Sequence, residues 1–359
     1  MTRPKLLAFY LPQFHPIPEN DAWWGRGFTE WTNVVAARPL FPGHHQPHLP
    51  ADLGFYDLRL PEARQAQADL AREYGVSAFC YYHYWFNGRR LLGRPIDEVL
   101  ASGRPDFPFL MCWANEPWTR AWDGLNEQVL MPQAYSEKDD RRHARWLATA
   151  FRDERYFRVD GKPLFLVYRA SQLPDASRTA SIWREEAERL GVGEIYLCRV
   201  ESFVDERSDP VSIDFDAAVE FQPDWANLGP PRPSSRGVRE ALRARRSPSA
   251  LRVYGYADVV DRMIARPDPD YRRFACVTPS WDNTARQGHG GVVLHGSEPG
   301  QYERWLRDAV ARSAASGSGD RIVFVNAWNE WAEGSHLEPD RHHGLGFLEA
   351  TQRVVCRAR

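Results

Sequence analysis

Two glutamates three residues apart, Glu330 and Glu333, stand in the stretch Trp328-Asn329-Glu330-Trp331-Ala332-Glu333-Gly334-Ser335-His336-Leu337-Glu338-Pro339, directly after the apolar run Ile322 to Ala327. Cleavage of a glycosidic bond needs one carboxyl to protonate the leaving oxygen and a second to assist at the anomeric carbon, and tryptophan faces bind the apolar faces of pyranose rings. In an extended strand, residues i and i+3 point to opposite faces about 10 Å apart. A strand end that turns over Ala332 to Gly334 brings both carboxyls into one cavity. Aromatic walls would then raise one carboxyl pKa and leave its neighbour ionised, which divides the pair into acid and base. Glu116, in Asn115-Glu116-Pro117, is a rival catalytic residue and is read as a substrate-binding group. If it were paired with Glu330, a separation of about 5–5.5 Å would imply a covalent retaining route and about 6.5–9.5 Å inversion.

Such a pair needs a scaffold that converges strand ends. Eight short, nearly continuous apolar runs recur: Leu6 to Leu11, Ser77 to Trp85, Phe107 to Ala114, Pro163 to Tyr168, Glu194 to Val200, Ala217 to Phe221, Phe274 to Ser280 and Ile322 to Ala327. Runs without polar alternation are what a sheet buried on both faces requires. Amphipathic helical stretches separate several of them, at Pro61 to Tyr74, Lys138 to Arg152, Ser177 to Leu190, Ala257 to Ala265 and Gln301 to Ala315, with Gly344 to Val355 as a closing helix. This repetition predicts a single-domain (β/α)8 barrel over residues 1–359, an α/β fold, with loop insertions near 12–60 and 225–255. The structural alternative, a doubly wound sheet with a nucleotide site, lacks its Gly-x-Gly-x-x-Gly and Gly-x-x-x-x-Gly-Lys-Ser/Thr signatures here.

Polar and aromatic residues collect after the strand ends: Gln13 and His15; His83, Tyr84 and Trp85; Asn115, Glu116 and Trp118; Arg169; Glu201; Glu220, Gln222 and Asp224; Trp281, Asp282 and Asn283; Asn329, Glu330 and Glu333. In a barrel these ends meet at one mouth. Tyr81 to Trp85 alternate faces along a strand, so half should be core and half mouth.

Composition excludes several function classes. A net charge of −2 in 359 residues offers no basic field for nucleic acid or anionic membrane. No run of about 18 apolar residues predicts a membrane span. The N-terminal residues lack the features of a signal peptide, and the odd set Cys80, Cys112, Cys198, Cys276 and Cys356 fits a reducing compartment, so a cytoplasmic location is expected. His44, His45 and His48 share a loop without helical metal-ligand spacing, so no metal and no other cofactor is expected, and His48 is read as a sugar contact.

Six segments together resemble the bacterial WbsX-like proteins: Ala8 to Pro16, Gly27-Phe28-Thr29-Glu30-Trp31, His45-Gln46-Pro47-His48-Leu49-Pro50, Cys112 to Trp118, Trp281-Asp282-Asn283 and Trp328 to Gly334. These proteins are similar to the endo-α-mannosidases and endomannanases of glycoside hydrolase family 99. The resemblance covers nearly the whole chain and is weakest over Arg232 to Val253. It implies a (β/α)8 barrel, an oligo- or polysaccharide substrate of the bacterial surface, and other polysaccharide-biosynthesis enzymes as company. It also implies an unusual retaining mechanism, with Glu330 as base on the sugar's own 2-hydroxyl and Glu333 as acid/base, through a 1,2-anhydro sugar. The residues expected at the sugar are Tyr10, Gln13, His15, Trp31, His48, Tyr82, Tyr84, Trp85, Trp113, Asn115, Glu116, Trp118, Glu220, Gln222, Trp281, Asn283, Trp328, Asn329 and His336. The chain departs from the mannan enzymes at Gly334-Ser335, where they carry Gly-Thr, and His336 to Pro339 is characteristic of the WbsX-like branch. Two other readings remain. A glycosyltransferase would use an Asp-x-Asp such as Asp214-Phe215-Asp216 or Asp268-Pro269-Asp270, and a glycan-binding barrel would use the mouth without catalysis.

Overall fold

All eight apolar runs form strands, because chains this rich in Val, Ile, Leu and Phe can bury both faces only inside a wrapped sheet. In a computed structural model, which describes residues 3–120, 125–232, 250–315 and 321–356, they are β1 (Lys5–Tyr10), β2 (Val76–Phe86), β3 (Phe109–Trp113), β4 (Lys162–Val167), β5 (Tyr196–Glu201), β6 (Ala217–Glu220), β7 (Arg273–Val277) and β8 (Ile322–Val325). Each pairs in parallel with the next. The ring closes where β1 meets β8, with Leu6 opposite Val323 and Ala8 opposite Val325. This is a (β/α)8 barrel.

Helices on the outer face are α1 (Pro61–Glu73), α2 (Arg94–Ser102), α3 (Glu137–Phe151), α4 (Ala176–Arg189), α5 (Tyr256–Ala265), α6 (Pro299–Ala315) and α7 (Gly346–Val355). Two features depart from the sequence reading. Helix α2 is an extra element between β2 and β3, whereas β5 and β6 are joined only by the short 3-10 turns Val204–Glu206 and Pro210–Ile213. Thus one barrel unit has no covering α-helix. The insertion after β1 carries two short helices, Pro18–Trp24 and Glu30–Ala36, while the one near 225–255 adds the strand Arg252–Gly255, paired in parallel with Val292–His295. Residues 233–249 of that insertion lie outside the described residues. No helix among the described residues is long and apolar enough to cross a membrane, and all five cysteines are free thiols.

Alternation along β1 shows how the barrel separates core from outer layer. Phe9 points inward, with Tyr82, Phe221 and Phe324 around it at ring-centre distances of 5.6, 5.5 and 5.6 Å. Tyr10 points outward, and its hydroxyl donates to Gln67 of α1 at 2.6 Å. Truncating a ring buried like Phe9 costs about 3–5 kcal/mol. Here it would also remove the support beneath Tyr82 and Phe221, which line the mouth above.

Candidate active site

The glutamate-bearing segment leaves β8 as a miniature hairpin, in which Asn329–Glu330 pairs antiparallel with Ser335–His336 across the 3-10 turn Trp331–Glu333. Gly334 closes the turn at φ 58°, a left-handed conformation that disfavours side chains. A Cβ on it would stand 2.8 Å from Asp282 Cβ, so only glycine fits. Asn329 fastens the hairpin to the start of the barrel: its Oδ1 accepts from Leu11 N–H at 2.7 Å and its Nδ2 donates to Leu11 C=O at 3.0 Å. Ser335 is fully buried and donates to the Asn326 carbonyl at 2.6 Å. It does not line the cavity, so the Thr-to-Ser departure lies in the scaffold beneath the glutamates.

The turn brings Glu330 and Glu333 to one cavity of about 410 Å³ at the barrel mouth. Between them lies Arg286, whose Nη2 donates to Glu330 Oε2 at 2.9 Å and whose Nη1 donates to Glu333 Oε1 at 2.6 Å. Its Nη2 also donates to Glu30 Oε1 at 2.6 Å, and that oxygen accepts the Ala332 N–H at 3.1 Å. Glu30 therefore holds both the guanidinium and the turn. Burial pushes the Glu330 carboxyl well above its ordinary value, and Arg286 pulls it back. Glu333 is raised for the same reason and is the more accessible, with 22% of its side chain exposed against 6% for Glu330. The single guanidinium offsets burial only in part, so the carboxyls of Glu330 and Glu333 both stay raised.

Aromatic rings form the walls. Trp118 meets Tyr84 edge-on at 5.1 Å and Trp23 at 5.9 Å, while Trp225 meets Trp281 edge-on at 5.1 Å. Glu116 also lines the cavity, with its carboxyl raised by burial and drawn back by Arg169 Nη1 at 3.0 Å. Of the residues expected at the sugar, Gln13, Tyr82, Tyr84, Glu116, Trp118, Trp281 and Asn283 line this cavity.

Others do not, and each for a visible reason. Tyr10 faces α1, and Trp85 sits on the outer face of β2 with its indole donating to Asp139 of α3 at 2.8 Å. The Trp113 indole donates to the Trp85 carbonyl at 3.1 Å, and Trp328 packs on Phe79 in the core at 5.1 Å. Trp31 is wedged between Phe14, Tyr56 and Trp331. His15 is buried outside the lining. Asn115 ties β3 to β4 through the Arg169 backbone, and Asn329 is consumed by Leu11. Glu220 accepts from Arg266 at 3.1 Å and Gln222 donates to Glu220 at 3.1 Å. His48 and His336 meet one another at 3.1 Å beside a second cavity of about 240 Å³. The two Asp-x-Asp motifs also lie away from the mouth: Asp216 accepts from Leu197 N–H and Asp268 pairs with Arg273 and Arg312. Missed by the sequence reading were Arg286, Trp23, Trp24, Tyr168, Phe221 and Trp225, all cavity-lining. The only signal for Arg286 was its place shortly after Trp281-Asp282-Asn283.

Comparison with known proteins bears on this arrangement. The family described as Glycosyltransferase WbsX matches residues 6–351. The protein WxcX of Xanthomonas campestris pv. campestris strain B100 is 48% identical over 355 residues, 98% of this chain and 50% of that protein. The WxcX of a second strain matches to the same extent. The chain thus spans about half the length of the curated relatives it matches. Among solved structures, a glycoside hydrolase-like protein aligns with a TM-score of 0.60 at 14% identity, covering 99% of this chain and 94% of its own. A glycoside hydrolase family 99 endo-α-mannosidase from Bacteroides thetaiotaomicron, in complex with bis-tris propane, aligns with a TM-score of 0.58 at 14% identity, covering 98% and 96%. At that identity the likeness is one of fold.

Proposed function

The chain belongs to the WbsX family, and on that premise we propose that it is a retaining endo-glycoside hydrolase acting on a bacterial surface polysaccharide. The observation that carries the reading is the pair of carboxyls on the two arms of one guanidinium inside an aromatic-walled cavity. Each carboxyl gives one oxygen to Arg286 and keeps the other for a substrate. In the proposed reaction Glu330 takes the proton of the sugar's 2-hydroxyl, whose oxygen attacks the anomeric carbon and forms a 1,2-anhydro ring. Glu333 meanwhile donates its proton to the departing glycosidic oxygen. Glu333 then accepts a proton from water, the water oxygen opens the ring at the anomeric carbon, and Glu330 returns its proton to the 2-oxygen.

Accessibility, rather than the pKa directions, supports this division of roles. Burial raises the Glu330 carboxyl further than that of Glu333, and Glu330 serves as base in the fraction that the Arg286 guanidinium keeps ionised. The group that exchanges protons with leaving group and water gains from accessibility, as at Glu333. Trp118, Trp281 and Tyr84 offer stacking faces to pyranose rings.

The test uses purified protein, a panel of bacterial surface oligosaccharides that includes α-mannans, and a panel of nucleotide sugars. Glu330→Gln and Glu333→Gln should each lower turnover by about 10²–10⁴-fold, and proton NMR should show the product first released with the anomeric configuration of the substrate. Substrates lacking the 2-hydroxyl should resist cleavage. Cleavage that survives both substitutions sinks the site assignment, turnover of a 2-deoxy substrate sinks the anhydro route, and consumption of a nucleotide sugar replaces hydrolysis by transfer.

A further inference from the structure

Behind the wall formed by Trp281, a second cavity of about 240 Å³ is bordered by His48 and Asp340. Three electron-rich atoms converge at its edge. His48 Nδ1 lies 3.1 Å from His336 Nε2, which lies 3.8 Å from Asp340 Oδ2, and all three ligand atoms fall within 4.8 Å of one another. The proton inventory of this group is short. His336 donates from Nδ1 to the Glu338 carbonyl at 3.0 Å, so as a neutral ring it turns a bare Nε2 lone pair toward the cluster. Asp340 commits Oδ1 to the N–H groups of His342 and His343, at 2.8 and 2.6 Å, and leaves Oδ2 3.8 Å from His336 Nε2 and 3.7 Å from His343 Nδ1, too far for a hydrogen bond to either. A hydrogen bond between the two histidines satisfies one contact and leaves a carboxylate oxygen opposed to an imidazole lone pair with no hydrogen between them. A cation at the centre would satisfy all three.

We propose that His48 Nδ1, His336 Nε2 and Asp340 Oδ2 form a binding site for a first-row divalent metal of the zinc type, with its fourth position open to the second cavity. Tetrahedral coordination with metal–donor distances of about 2.0–2.2 Å places donors about 3.4 Å apart. The 3.1 and 3.8 Å spacings already straddle that value. Ligands are imidazole and carboxylate, which suit zinc and its neighbours better than calcium or magnesium. The second shell is in place as well. The Glu338 carbonyl fixes the tautomer of His336, and the Asp282 carboxylate stands 3.9 Å from His48 Nε2, where the proton of a metal-bound His48 would reside. The ligand-bearing segments are joined by a bridge between Pro50 and Asp340 and by the Ala51 N–H to the Pro339 carbonyl at 2.9 Å. His336 belongs to the same hairpin as Glu330. The ion would therefore clamp the loop after residue 43 to the hairpin that presents the glutamates, a structural task outside the sugar cavity. This departs from the expectation that the histidine loop binds no metal.

The experiment uses untagged protein, stripped with chelator and dialysed, then titrated with Zn²⁺ by calorimetry and with Co²⁺ by visible absorption. One ion per chain, intense four-coordinate Co²⁺ bands and a higher thermal midpoint with Zn²⁺ are expected. His48→Ala and Asp340→Asn should each weaken binding by more than about a hundredfold, because even outer-shell partners account for about 10–100-fold. The asparagine keeps Oδ1 for the two backbone N–H groups, so that variant should stay folded. His342→Ala, beside the cluster but outside it, should bind as the native chain does. Absence of uptake, six-coordinate Co²⁺ spectra, or affinity unchanged in His48→Ala and Asp340→Asn would overturn the site.

Discussion

Replacing Arg286 by glutamine tests the electrostatic core of the proposed site. The guanidinium contacts Glu330 at 2.9 Å and Glu333 and Glu30 at 2.6 Å, so charge centres are separated by about 4 Å. At an effective dielectric constant of about 20 each pair is worth about 4 kcal/mol, or about 3 pKa units. Water in the open cavity screens part of this, so a rise of at least about 1 unit in the carboxyl titration is expected. The sign follows from the role given to Glu330. A base must be ionised, removal of the cation raises its pKa, and the acidic limb of kcat/KM therefore moves to higher pH. Carboxyl carbon NMR reads the same titration without substrate, which keeps the test independent of the sugar. Breaking such a buried ion-paired group should also cost about 3–5 kcal/mol in urea unfolding. Arg286→Lys, with one compact ammonium in place of a fork, should recover stability more than the pH profile. An acidic limb and a carboxyl titration that stay in place, or move to lower pH, in Arg286→Gln would refute the reasoning.

Three further expectations follow from the same geometry. Gly334→Ala should lower stability by about 2–4 kcal/mol, combining about 1–2 for the left-handed backbone with a close contact on Asp282, and thermal unfolding within about 0.5 kcal/mol of native would contradict the packing described. His15 is held down to about 4 by burial from an ordinary 6.5, so folding excludes its proton. The stability is present above pH 6.5 and is lost as pH falls toward about 4; it amounts to about 3 kcal/mol, and His15→Leu should flatten that acid slope in urea titrations at several pH values. Glu116→Gln should raise KM with little change in kcat if Glu116 binds sugar, whereas a loss in kcat of about 10³-fold would make it the acid or base.

The barrel was legible because its strands must be buried on both faces, and near-continuous runs such as Pro163 to Tyr168 have no other use. The bare connection between β5 and β6 was not, since no periodicity marks an absent helix. Within the site, Tyr82 and Tyr84 face the cavity as read, whereas Trp85, read as a sugar contact against the period-two pattern, lies on the other side of the strand. Trp113 and Trp328 were misplaced because a tryptophan at a strand end serves the packing between strand and helix as readily as a sugar. Arg286 escaped because its role depends on Glu30, 256 residues away, and such pairing is visible only after folding. His48 and His336 were read as sugar contacts one by one, whereas the fold brings them within 3.1 Å of one another outside the sugar cavity, a proximity that no sequence spacing marks.

The bond between Asn329 and the Leu11 backbone spans 318 residues of sequence. A chain that leaves the ribosome from its N-terminus therefore holds β1 with one lateral edge uncovered until β8 arrives, and an uncovered edge is a template for adhesion to other chains. The glutamate hairpin is seated by the same closure. A nascent or truncated chain that stops before the last strand therefore lacks the cavity into which both glutamates project. The cost is a slow, long-range final step, since contacts 318 residues apart in the sequence must form before the mouth exists.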